Sequence, residues 1–351
     1  MIADLRLQDF RLFKDDSFEL SPSVNIIVGP NASGKTSLLE AVLVLASGTS
    51  YRAASGELIR FGQPWTRLDG HNESGALRTV KITRDPPAKQ YEINGKTYQR
   101  LNLAQSLPIV LFEPNHLQML SGHPERRRDY LDDLLEQTVI GYGATRRQYK
   151  RTLAQRNNLL KQPGNVLHNQ LFPWDVRLSQ LAGQIVRARS QLTEAINAKL
   201  PTLYKQLSQA KTKVSAVYDS RWPVDTYESR LLKQLETSRS DDQLRGFTGS
   251  GPHREDLLIT FDGRPVQLVA SRGEVRTAIL ALKIIELNTI QDARGGQSPL
   301  LLLDDVFSEL DGKRRHALTD HLAAYQTFIT TTDADIVLQH FAEKCNVIPL
   351  N

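Results

Sequence analysis

The sequence predicts a mixed α/β fold, in which an open sheet carries an antiparallel β subdomain and receives an inserted pair of antiparallel helices. Three observations predict it. Continuously apolar runs, Val24–Val28 and residues 300–303, stand near the two ends of the chain, as strands buried on both faces of an open sheet do. Runs of β-formers with a tight-turn dipeptide fill residues 76–99. Between residues 124 and 208 the texture changes to helix, with large aliphatic residues at a spacing of roughly 3.5.

Taken in order, residues 1–30 alternate apolar and polar positions until Val24–Val28, and Gly29 then breaks the strand. Residues 37–45 read as a helix. Leu77–Thr83 and residues 91–98 read as strands, and Asn94-Gly95 inside the second run signals a two-residue hairpin, whose central positions both need a positive φ. Pro124 suits the first helical position and Glu125 the positive end of the helix dipole, after which Leu131, Leu134, Leu135 and Val139 recur at helical spacing. Gln162-Pro163-Gly164 breaks that pattern, and Leu178, Leu181, Ile185, Leu192, Ile196 and Leu203 resume it. Residues 124–162 and 174–208 are therefore expected as an antiparallel helical arm. Strands return at 213–218 and 257–268, with Asp262-Gly263 as another tight turn, followed by a helix over 274–288 and the buried strand 300–303. The expected division is a head of residues 1–115 and 246–351 with a mainly helical lobe, 116–245, inserted in it.

At 351 residues the chain has room for two compact units or one large unit with an insertion. A hydrophobic share of 40% and a charged share of 24% exclude a disordered chain. The net charge of +5 is mild, so binding to a polyanion depends on where the charge is clustered. The single cysteine, Cys345, excludes an internal disulfide and a cysteine-based zinc cluster, and is expected as a packed thiol in a reducing compartment. Asp4, Arg6 and Asp9 interrupt the apolar residues of the N-terminus, and runs 41–46 and 300–303 are too short to span a bilayer, so a cytoplasmic protein is expected.

The residues that carry chemistry begin with Gly29-Pro30-Asn31-Ala32-Ser33-Gly34-Lys35-Thr36, followed by Ser37. Two glycines, a lysine and a threonine at these offsets, between a buried strand and a helix, form the pattern of a nucleotide phosphate loop. Glycine lets the loop wrap phosphates with its amides pointing inward, Lys35 would reach the β- and γ-phosphates of ATP, and Thr36 would bind a magnesium ion (Mg2+). The apolar run 300–303 ends in Asp304-Asp305. Asp304 would hold magnesium and Asp305 would orient or polarise the attacking water; the same pair would also cap a helix. Ser271-Arg272-Gly273-Glu274 opens another helix, where a serine and a glycine at a helix N-terminus suit a second phosphate, or simply a cap.

The order of these segments, with Ser308-Glu309-Leu310-Asp311 directly after the strand, matches the signature, Walker B and D-loop of ABC ATPases. Over nearly its whole length the chain resembles the bacterial RecF recombination-repair family. The resemblance rests on Leu5-x-Leu7-x-x-Phe10-Arg11, Gly48-Thr49-Ser50-Tyr51-Arg52, Pro124-Glu125-Arg126-Arg127-Arg128 and Trp174-Asp175. It continues at Gly251-Pro252-His253-Arg254-Glu255-Asp256 and 303–311. It departs at Glu274, where the family usually has Gln, at Glu255, where it has Asp, and at Phe112-Glu113-Pro114-Asn115-His116.

The resemblance implies an ABC-type ATPase head in which ATP is sandwiched between the phosphate loop of one copy and Ser271, Gly273 and Asp311 of a homodimer partner. It implies weak ATP hydrolysis, a switch region at Thr330-Thr331-Thr332-Asp333, and an arginine, Arg52, near nucleotide or DNA. It further implies a role in DNA repair and replication-fork maintenance after damage, with RecR, RecO and the recombinase RecA as partners at gapped DNA. Arg126, Arg127, Arg128, Arg146, Arg147, Lys150 and Arg151 are read with it as a DNA-phosphate surface, since Arg146 with Lys150, and Arg147 with Arg151, share a helix face. No base-reading element is evident, so sequence-nonspecific binding is expected. Two other readings stay open: a scaffold dimerised by ATP with incidental hydrolysis, and a transporter ATPase subunit, against which the 242 positions between Gly29 and Ser271 argue.

Overall fold

The computed structural model describes residues 1–162, 168–322, 324–333, 337 and 345–351, with side chains except at 168, 308, 309, 320 and 321. It divides into two compact units, Met1–Leu117 with Glu286–Asn351, and Gln118–Ile285.

In the first unit, β1 (Ile2–Phe10), β2 (Phe13–Glu19), β4 (Trp65–Asn72), β5 (Leu77–Thr83), β6 (Ala88–Ile93) and β7 (Lys96–Tyr98) form an antiparallel sheet, in the order β2-β1-β4-β5-β6-β7. The β6–β7 hairpin turns on Asn94 and Gly95, at φ 50° and 76°, the backbone that dipeptide favours. The second sheet is parallel: β14 (Cys345–Pro349), β3 (Val24–Val28), β13 (Thr327–Thr331), β12 (Leu300–Asp304) and β8 (Ile109–Phe112), in that order. The helix α1 (Lys35–Ser47) belongs to one core with both sheets: Leu39, Val42 and Leu45 join Leu7, Leu68 and Val80 of the antiparallel sheet and Ile27, Leu302 and Phe328 of the parallel one. Covering on all sides explains why 38–46 is apolar except for Glu40. Short helices α9 (Val306–Glu309) and α10 (Gly312–Leu322) follow β12. β14 adds an edge strand beyond β3; Cys345 begins it and is half-exposed rather than packed.

In the second unit the expected arm is a packed lobe. Residues 124–162 form two helices, α2 (Pro124–Thr138) and α3 (Tyr142–Leu160), because Gly141 at φ 86° starts α3 in the left-handed region and breaks the run. The partner helix α4 (His168–Ser208) starts earlier than expected and lies antiparallel to α3, with Thr145 bonded to Gln184 and Arg177 to Gln148. A small sheet of β9 (Val214–Asp219), β10 (Asp256–Phe261) and β11 (Arg264–Pro265) packs on this lobe together with α5 (Tyr227–Thr237) and α6 (Arg239–Arg245). The strand expected to reach 268 stops at Pro265, where α7 (Val266–Val269) begins and leads to α8 (Arg272–Ala293).

Residues 246–285 therefore belong with the lobe and not with the head, because β10 pairs with β9 along six residues and Arg127 of α2 forms a two-pronged ion pair with Asp256. The lobe also buries Arg189 on Asp132 and Arg156 on Asp175 and Asp242. Such pairs fix the register of the helices, since removing one partner strands a charge at about 3–5 kcal/mol. Among the described residues no helix is long and apolar enough to cross a membrane.

Candidate nucleotide site

The loop after β3 is shaped by backbone that few residues tolerate. A Cβ at Gly29 would lie 2.4 Å from the Leu350 carbonyl oxygen and 2.6 Å from Ser33 Oγ, and Gly34 has φ 101° with the Phe13 ring against it. Asn31 and Ala32 stand exposed at the loop crest, Ala32 itself at φ 67°. Ser33 Oγ is buried and has no hydrogen-bond partner among the described residues. The buried Lys35 Nζ donates to the carbonyls of Gly29 and Pro30, at 2.8 and 2.9 Å, so the lysine folds the loop back onto itself. Buried Ser37 continues the first turn of α1.

The carboxylates arrive from the neighbouring strands. All of the strands in this sheet run parallel, so β3, β12 and β13 end together, the place where open α/β sheets collect ligands. Thr36 Oγ1 donates to Asp304 Oδ1 at 3.1 Å, Thr330 Oγ1 to the same oxygen at 2.9 Å, and Tyr51 Oη to Asp304 Oδ2 at 2.8 Å. Three hydroxyl donors on one carboxyl group match its ionised, acceptor-only form. Thr330 Oγ1 also accepts the amide of Asp305 at 2.9 Å, so one residue of the expected switch region ties both aspartates to β13. The adjacent hydroxyl of Thr36 and carboxylate of Asp304 are a hard-oxygen donor set that fits magnesium.

Burial, and next the negative charge of Asp304, hold the Asp305 carboxyl above the usual aspartate range, with Lys35 opposing. Burial and the same charge push the Tyr51 phenol far up, which keeps it a neutral donor. Asp305 sits at φ 51° as the N-terminal cap residue of α9, a strained backbone that presents its side chain beside the strand end.

Glu40 is fully buried within α1 and accepts from Arg11 Nε and Nη2, at 2.9 and 3.0 Å, from the Ser50 hydroxyl at 2.5 Å and from Arg52 at 3.4 Å. Burial raises its pKa, but the bonds from Arg11 and Ser50 prevail and hold it below the usual range. Arg52 thus has its charge paired inside the unit. The sequence alone gives Tyr51 and the Glu40–Arg11 pair no role; the apolar setting of Glu40 between Leu39 and Ala41 is the one signal for it.

Ser271 and Gly273 lie in the other unit. Ser271 donates from its amide and its hydroxyl to Glu274 Oε2, both at 2.8 Å, and Glu274 returns its amide to Ser271 Oγ at 3.3 Å, a capping box on α8. Leu268 and Val269, just before it, are 79% and 44% exposed. Asp311 accepts the Arg314 amide at 2.9 Å and pairs with its guanidinium, capping α10. The side chains of Ser308 and Glu309 lie outside the described residues.

The expected DNA surface is corrected in part. Arg127 is buried on Asp256 and on the carbonyl of Gly122, Arg128 donates to the Glu255 carbonyl, and Arg146 is enclosed by Asp129, Asp132, Asp133 and Glu136. Charge runs in sequence do not reveal such partners, which for Arg127 stands 129 positions away. Arg126 is exposed and bonded to Gln118, and Arg147, Lys150 and Arg151 are exposed on one face of α3.

A family model described as the RecF/RecN/SMC N terminal domain matches residues 1–348. The DNA replication and repair protein RecF of Halothermothrix orenii is 34% identical over 348 residues, spanning 95% of this chain and 92% of its own. That of Symbiobacterium thermophilum is 35% identical over 347 residues with the same coverage. Among solved structures, the recombination mediator protein RecF-ATPrS in the RecFOR pathway superposes with a TM-score of 0.87 at 28% identity, over 95% of this chain and 92% of that one. The Smc head domain of Pyrococcus furiosus, at 16% identity and a TM-score of 0.51 over 97% and 91%, is alike in fold alone.

Proposed function

The chain belongs to the RecF family of DNA replication and repair proteins, and from that premise we propose that it binds ATP and closes as a homodimer on DNA. The observation that carries this reading is the convergence of Lys35, Thr36, Asp304 and Asp305 at one end of the parallel sheet. A RecF-ATP complex from the RecFOR pathway, with a TM-score of 0.84, supports the choice of nucleotide.

On binding, Lys35 would exchange the carbonyls of Gly29 and Pro30 for the β- and γ-phosphates, opening a loop whose remaining amides face the ligand. Ser33 Oγ gains the acceptor it lacks. Thr36 and Asp304 would hold magnesium, which supplies positive charge against the phosphates. Asp305 would take the proton of the attacking water. Its side chain is one methylene shorter than glutamate, and turnover is therefore slow. Thr330 would couple that proton transfer to the position of Asp304. Ser271 and Gly273 of a second copy would receive the γ-phosphate, with Asp311 and Arg52 at the same interface, and the exposed Leu268 and Val269 give that interface apolar surface. Arg126, Arg147, Lys150 and Arg151 would meet DNA phosphates. Hydrolysis would release the dimer, which serves recombinase loading at gaps with RecR, RecO and RecA.

Light scattering of the wild type and of Ser271→Arg, with and without ATP, magnesium and duplex DNA, tests this. An ATP-dependent dimer that is absent in the variant is expected; a monomer under every condition would overturn the sandwich. Loss of ATP-dependent retention on DNA is expected in Lys35→Ala, and unchanged retention would overturn the mechanism; the scaffold reading needs ATP in the same way and differs only in the rate of hydrolysis.

A further inference from the structure

At the end of the parallel sheet opposite the phosphate loop, a cavity of about 190 Å³ opens where α1 ends and where β8 and β12 begin. Its walls are mainly apolar, with Leu45, Leu77, Ile93, Leu107 and Leu300 among them. Gly70 also lines it, and a Cβ there would stand 2.5 Å from Leu45 Cδ2, so a side chain at this position would displace that leucine. The volume suits a ligand, since a dry cavity of about 150 Å³ already holds benzene.

The Arg78 guanidinium stands in this wall, which Met1 and His71 also line. Arg78 donates from Nε to the Leu45 carbonyl at 2.5 Å and from Nη2 to the Ala46 carbonyl at 3.1 Å, closing the end of α1. Those carbonyls account for two of its nitrogens and offset part of its charge. Among the described residues Arg78 forms no ion pair, and no Asp or Glu lines the cavity. Asp4, the nearby acid, is occupied by His71 Nδ1 at 2.9 Å. Partial burial without an acid pushes the Arg78 guanidinium down to about 10, whereas the fully buried arginines of this chain, Arg127, Arg156 and Arg189, sit on carboxylates. Asn72, Asn94 and Ser298 add amide and hydroxyl donors around the opening.

We propose that this cavity binds an apolar carboxylate: a ring-sized aromatic or branched aliphatic group seated against Leu45 and Leu77, with its carboxylate on Arg78. The carboxylate supplies the missing counter-charge in a bidentate geometry that guanidinium prefers, and the apolar body fills a volume that polar solutes would leave undercompensated. A free organic acid and the C-terminal residue of a peptide share this chemistry. The site is independent of the nucleotide reading, since it uses none of the same residues.

The test is a titration of the full chain, followed by protein-observed NMR, with 3-phenylpropionate, its amide, a short peptide ending in phenylalanine, and that peptide amidated. The acid is expected to bind saturably, with shifts confined to residues lining the cavity, and about 10-fold more tightly than the amide, the size of one charge-assisted contact. Arg78→Met should remove that preference. Ser298→Trp, an exposed rim position, should block entry without touching the end of α1. Tighter binding of the peptide would identify a protein C-terminus as the source, and tighter binding of the free acid a metabolite. Equal affinity for acid and amide, no saturable shifts, or unchanged binding in Ser298→Trp would overturn the proposal even if Arg78→Met fails to fold.

Discussion

Glu274 and a terminal phosphate want the same donors. The Ser271 amide and hydroxyl both point at Glu274 Oε2, and an incoming phosphate must displace a carboxylate that repels it. Glu274→Gln keeps a side chain that can close the capping box but drops the charge. The ATP concentration that half-dimerises the chain is expected to fall by about 10-fold, an effect of ~1.4 kcal/mol. Sedimentation across an ATP series measures it, and an unchanged midpoint would mean that the carboxylate does not compete. Asp305 gives a second prediction at this scale. A base acts only when deprotonated, and its pKa is raised by burial and by Asp304, so turnover should decline on acidification from above the usual aspartate range. Rate measurements against pH should show that limb, and Asp305→Asn should lose turnover while still dimerising. The sequence names Asp304, Asp305, Lys35 and Thr36 because their chemistry is written in local spacing. Tyr51 stays hidden, because its partner is 253 positions distant.

Elements are legible where one residue type demands one backbone. Asn94-Gly95 and Asp262-Gly263 turn hairpins at the positive φ that they tolerate, and β3 and β5 begin and end where their apolar patterns do. The helices are harder. The leucine rhythm over 124–162 continues through Gly141 as if unbroken, since a single left-handed residue leaves the apolar spacing on either side intact. The basic run at the start of α2 misleads for a related reason: sequence shows charge and conceals its partner. Arg127 holds α2 to β10 through Asp256, so Arg127→Met should destabilise the lobe by about 3–5 kcal/mol. Urea unfolding measures this. DNA affinity per folded molecule should be unchanged, and weaker DNA binding with stability intact would restore Arg127 to the phosphate-binding surface.

For the whole molecule, the division into head and lobe is visible in outline, but 246–285 falls on the lobe's side, where the sequence pattern alone puts it in the head. The reason is physical: β10 carries the alternating pattern of any half-buried strand, and only its pairing with β9 decides which unit owns it. The same distinction between local pattern and distant partner bears on DNA. Of the seven basic residues expected to contact it, Arg127, Arg128 and Arg146 are held by the lobe itself, leaving Arg126 on α2 and, on α3, a helix that contains no acid, the three-residue face of Arg147, Lys150 and Arg151. If that face follows the phosphate backbone, replacing all three by Gln should flatten the dependence of log affinity on log salt by about 2.7, at ~0.9 for each phosphate no longer neutralised. The weakening should be the same for unrelated duplex sequences, because phosphates carry no base information. Fluorescence anisotropy with two unrelated duplexes at several salt concentrations, with ATP held saturating, measures both quantities. A slope equal to that of the wild type would move the DNA surface off α3, while a sequence-dependent weakening would require a base-reading element that neither unit displays among its described residues.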